Sequence, residues 1–103
     1  MTLAELKKTL DATGYPVAYS HFNSTQSLPF ITYLVSYTSN FMADNKVHKK
    51  INNIQVELYT KLKDLKAEEK LETVLDNAEL PYQVTETWLA SEDMYQRVYD
   101  IKL

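Results

Sequence analysis

Ile54–Asp64 reads I-Q-V-E-L-Y-T-K-L-K-D, and the rest of the chain can be placed around it. Ile54, Val56 and Leu58 alternate with Gln55, Glu57 and Tyr59, the period of a strand with one buried face. Asp64 then stands where a helix N-cap belongs, ahead of apolar residues at helical spacing. A strand therefore leaves the core and turns directly into a helix that packs back on it.

Downstream, Leu71, Val74, Leu75 and Ala78 recur at i, i+3, i+4 and i+7, predicting a helix over Leu65–Glu79. Glu68, Glu69, Lys70, Glu72 and Asp76 are expected on its solvent side. Leu80-Pro81 ends it. Tyr82–Ala90 and Met94–Leu103 read as a terminal hairpin across Ser91-Glu92-Asp93. Tyr82, Val84 and Trp88 share a face with Glu86, and Tyr95, Tyr99, Ile101 and Leu103 share one with Arg97. Glu86 and Arg97 are thus expected to meet across the strands.

Upstream, Thr2 and Glu5 have capping-box spacing, and Leu3, Leu6 and Leu10 share a helical face. That predicts a helix over Leu3–Ala12, stopped at Gly14. Tyr15–Phe22 is a short extended segment, since Pro16 restrains Tyr15. Pro29–Thr38 is rich in β-branched and aromatic residues, with Ile31, Tyr33, Val35 and Tyr37 expected on one face. Ser39–Lys50 lacks periodicity. Its expected form is a projecting hairpin arm that turns near Asp44–Asn45 and returns through Val47. The expected class is α+β: a mainly antiparallel sheet of about five strands, in the order α-β-β-β-α-β-β. Both helices are expected on one face, because two cannot cover both.

A chain of 103 residues is long enough for one packed domain. It has no cysteine, which excludes disulfides and thiolate metal sites. One glycine excludes Gly-rich phosphate loops. The net charge of −3 argues against a general nucleic-acid binder. The charged start M-T-L-A-E-L-K-K is not a signal peptide, and no apolar run reaches the roughly 20 residues of a membrane span. The eight tyrosines suit half-wet strands, with some left for interfaces.

No catalytic constellation is evident. His21 and His48 lack metal-ligand spacing. Ser20, beside His21, has no glycine-bearing elbow. Glu92-Asp93 is explained by the hairpin turn, and Lys46–Lys50 by a charged flank that keeps a strand edge soluble. No cofactor or metal is expected. The candidate residues are for protein contact: Phe41, Met42 and Val47 in the arm, with Tyr37, Trp88 and Tyr95.

Leu28–Tyr33 (L-P-F-I-T-Y), Gln55–Lys61 (Q-V-E-L-Y-T-K) and the A-E-E-K-L-E-T-V-L helix, with the N-terminal helix, the arm and the final hairpin, resemble the tail terminator proteins of long, non-contractile-tailed bacteriophages and prophages. These are also described as tail-completion or head–tail joining proteins. The resemblance spans nearly the whole chain, although Phe41-Met42 matches no motif of the family. It implies a structural protein without an active site, forming a six-fold ring on the head-proximal end of the tail tube. The implied partners are further copies of the chain, the tube protein and the head connector, with DNA as passing cargo and no membrane. The implied location is the host cytoplasm during assembly, then the neck of the virion. Two other readings fit the residues: a head-completion or neck adaptor protein, and a small cytoplasmic ligand- or protein-binding regulatory domain.

Overall fold

The computed structural model describes the backbone of residues 1–43 and 46–103 and the side chains of residues 1–39 and 50–103. Within them the elements run α1 (Leu3–Asp11), β1 (Val17–Tyr19), β2 (Phe30–Ala43), β3 (Lys46–Thr60), α2 (Leu65–Asn77), β4 (Gln83–Leu89) and β5 (Met94–Lys102). The described strands form one sheet in the order β1-β2-β3-β5-β4. The pairings are antiparallel except β1 with β2. The chain is α+β, with the expected element order.

β3 lies at the centre, between β2 and β5. Its alternation does what the sequence demands: Ile54, Val56 and Leu58 are almost wholly buried, while Gln55, Glu57 and Tyr59 are only partly so. Opposite them stand Tyr33 and Ile31 on β2 and Ile101 and Tyr99 on β5. Leu6 and Leu10 of α1 and Ala67, Leu71 and Leu75 of α2 complete the same core, so both helices cover one face. Each fully buried aliphatic side chain contributes about 1.5–3 kcal/mol relative to exposure.

Local chemistry fixes the helix starts. The Glu5 amide donates to Thr2 Oγ1 while the Thr2 amide donates to Glu5 Oε1, both at 3.1 Å, closing the capping box. Asp64 Oδ1 accepts from the Ala67 amide at 3.0 Å. Gly14, at φ +84, turns the chain out of α1 in a conformation that side-chain-bearing residues rarely adopt.

Three expectations are corrected. The extended segment Tyr15–Phe22 contracts to the three residues of β1, which lie parallel to β2. The row Ile31–Tyr33–Val35 does not continue to Tyr37: the register shifts between Val35 and Tyr37, a bulge at Ser36. Ser36 Oγ donates to the Asn53 carbonyl at 3.0 Å, and Tyr37 pairs with Asn53, out of phase with the Ile54–Val56–Leu58 row. Finally, Glu68 is not on a solvated helix face. It is only 7% exposed, because cations from the sheet and from the turn after β3 reach it.

Candidate protein interface

The carboxylates of α2 face an arginine that the strand period places on the helix-covered side of β5. Arg97 lies 3.4 Å from Glu68, 3.3 Å from Glu72 and 3.4 Å from Glu86. Lys63 Nζ lies 2.8 Å from both Glu68 and Glu86. The Tyr99 hydroxyl donates to Glu72 Oε2 at 2.7 Å and accepts from Arg97 Nε at 2.9 Å. Three acids, two cations and a phenol thereby bind α2, β4, β5 and the turn after β3 together. Burial, reinforced by the bond to Glu72, pushes the Tyr99 hydroxyl far above its ordinary range. The hydrogen bond from Lys63 lowers Glu86, and the bonds to Glu68 and Glu86 raise Lys63. Each shift favours the species that makes the contact. The cluster is a clamp, and it fixes β4 at the sheet edge.

Glu86 and Arg97 are direct cross-strand partners, as their spacing predicts. Trp88 faces Tyr95 across the same pair of strands, ring centroids 4.7 Å apart in an edge-to-face arrangement. Trp88 nevertheless remains 43% exposed and Tyr37 61%. Tyr95 is half-buried. The side chains of Phe41, Met42 and Val47 lie outside the described residues. Their backbone places Met42 opposite Val47, so the expected arm is a pair of antiparallel strands continuous with the core; its expected turn near Asp44–Asn45 lies outside the described residues. Tyr37, at its base, and the Trp88–Tyr95 pair belong to separate parts of the sheet.

The ribbon outruns its neighbours. β1 pairs with β2 only at Ile31–Tyr33, and β5 reaches β3 no further than Asn52, which exchanges two 2.9 Å backbone bonds with Leu103. Beyond that point five residues of β2, Ser39–Ala43, pair with a stretch of β3 that β5 no longer flanks, a reach of roughly 15 Å at strand rise. Where the arm leaves the sheet, a groove of about 750 Å³ opens, lined by Tyr37, Asn53, Pro81, Tyr82, Asp100 and Lys102 among others.

The face away from the helices holds Phe30, Thr32, Leu34, Glu57, Tyr59 and Gln96. Thr32 Oγ1 donates to Glu57 Oε1 at 2.9 Å, and Gln96 Nε2 donates to Glu57 Oε2 at 2.8 Å and Tyr59 at 3.0 Å. Phe30 stacks on Tyr59 with centroids 5.0 Å apart. This face is organised by its own side chains rather than covered by a helix.

Among the described residues, no group of three metal-ligating side chains converges. His21 Nδ1 and Ser20 Oγ are 3.3 Å apart on an exposed turn, neighbours in sequence. Glu92 and Asp93 sit in the β4–β5 turn, Asp93 at φ 54. His48 lies outside the described side chains. No described helix is long and apolar enough to cross a membrane. No family model matches the chain, and no curated protein matches it either.

What sequence reasoning missed was the clamp. Its available signal was Arg97 in the apolar row Tyr95–Tyr99–Ile101: a cation in a core row requires carboxylates from whatever packs above it.

Proposed function

We propose that this chain is a structural virion protein that forms a ring on the head-proximal end of a phage tail tube. It ends tube polymerisation and provides the joint to the head connector. The observation that carries the reading is the β2–β3 arm, which continues two core strands past the end of the sheet. Such a ribbon extends past the strands that carry the core and suits contact with another subunit. The resemblance of Leu28–Tyr33 and Gln55–Lys61 to tail terminators supplies the identity of those contacts. The partners are further copies, six to a ring, the tube protein and the connector. DNA passes through, no membrane is involved, and the work is done by binding without catalysis. The protein acts in the host cytoplasm and stays in the virion neck.

The test is polymerisation of the tail-tube protein in vitro with and without this chain. Tubes that stop growing and carry a ring at one end support the reading. Tubes of unchanged length, with no bound protein, overturn it. Binding to filled heads instead identifies a neck adaptor.

The groove beneath the arm favours a second reading, a small ligand- or protein-binding regulatory domain. That domain would saturate with a ligand in calorimetry and ignore tail tubes.

A further inference from the structure

We infer that β4 is a strand-pairing edge, and that it receives the β3 side of the arm from a second copy of this chain. The inference rests on the self-assembly proposed above and names the segments that meet.

The hydrogen-bond phase identifies the open groups. Asn52 and Leu103 exchange both backbone bonds, so antiparallel alternation points the amides of Tyr95, Arg97, Tyr99 and Ile101 toward β3. The intervening residues of β5 then bond β4 at Gln83, Thr85, Thr87 and Leu89. That directs the amides and carbonyls of Val84, Glu86 and Trp88 outward, where no described strand meets them. Soluble proteins protect such edges with lysine, proline or a bulge. β4 has no lysine and no proline, and its register with β5 is unbroken. Its only charge, Glu86, is turned into the clamp. An unprotected edge held rigid in this way is a template for another strand.

Charge and length select the occupant. Glu79–Asp93, which contains β4 and its flanks, has four carboxylates and no lysine or arginine. The arm segment of β3 carries Lys46, Lys49 and Lys50 against a single nearby acid, Asp44, so the rest of the chain is more acidic than its net −3. The stretch of β3 left open by β5, residues 46–51, is six residues long, against seven for β4. A symmetric β4–β4 pairing centred on Glu86 would set two glutamates face to face. Pairing of unlike segments is heterologous, the type of contact that closes into a ring.

Because the chain has no cysteine, Thr87→Cys and Lys50→Cys supply unique thiols at exposed positions. The full-length variants, checked for unchanged thermal unfolding, are treated with a short bismaleimide at high protein concentration. The expected result is a dimer band when the two single variants are mixed, a multimer ladder from the double variant, and monomer from either single variant alone. Dimers from Thr87→Cys alone indicate β4–β4 pairing and overturn the inference. Rings seen by electron microscopy without a mixed cross-link overturn the pairing and leave the ring reading standing. A chain that does not cross-link at all, in solution or on tail tubes, overturns the inference, and one that also forms no ring on tubes overturns the ring reading with it.

Discussion

Arg97 and Glu86 stand directly opposite each other on β5 and β4, with Arg97 Nη1 3.4 Å from Glu86 Oε1. The same guanidinium reaches back to Glu68 and Glu72 on α2, so one side chain ties the edge strand to the helix above it. Replacing Arg97 with methionine leaves the buried Glu68 with Lys63 alone. The expected loss is about 2–3 kcal/mol, below the full cost of breaking a buried pair because Lys63 remains. Urea denaturation of the variant and the parent measures it.

The Tyr99 and Lys63 shifts set an alkaline limit on stability. A raised folded-state pKa stabilises fully below the ordinary value, which is 10.0 for tyrosine and 10.5 for lysine. That stabilisation is lost as pH rises above these values toward the folded ones. Unfolding free energy is therefore expected to fall above about pH 10, with a slope approaching about 1.4 kcal/mol per pH unit for the Tyr99 proton and a smaller, solvent-screened contribution from Lys63. Tyr99→Phe should flatten that slope and cost about 1–2 kcal/mol at neutral pH through the lost hydrogen bonds. Glu86 behaves oppositely: its contribution is present above the ordinary 4.5 and is lost as pH falls through its lowered folded value. Stability curves from pH 3 to 11 would expose both limits.

Leu58, on the core face of β3, is 1% exposed. Leu58→Ala should cost about 2–5 kcal/mol, as large-to-small changes in a tight core do. A smaller loss, measured by chemical denaturation, would mean that β3 is not the centre of the core.

Trp88→Ser removes a partly exposed ring that touches Tyr95. Its expected effect on folding is about 2–3 kcal/mol, from the buried part of the ring and the edge-to-face pair, while the proposed assembly on tail tubes should fail. Phe41→Ser with Met42→Ser should leave the unfolding transition in place and likewise impair assembly. Thermal melts paired with tube-binding assays separate the two effects, and unfolding of the double variant would place those side chains in the core.

Much of the fold can be read from local patterns because those patterns are what the backbone obeys. The β3 alternation, the Thr2–Glu5 box, the Asp64 cap and the Glu86–Arg97 pairing each depend on residues close in sequence or on one strand period. The bulge at Ser36 is not legible in that way. It depends on Asn53 offering its carbonyl from another strand, and it alone turns Tyr37 out of its row. Glu68 misleads for the same reason: on α2 it belongs to an acidic face, and only the sheet below supplies Arg97. Trp88, Tyr95 and Tyr37 stand out in the sequence only as candidate interface aromatics, yet the open amides of β4 become visible only when the ladder phase is known.

The proposed role as a ring that terminates a tail is tested most directly by deleting the gene from its presumed prophage and imaging the induced lysate by negative-stain electron microscopy. The account predicts overlong or irregular tails, separated from DNA-filled heads. Intact, infectious particles with tails of normal length would contradict it.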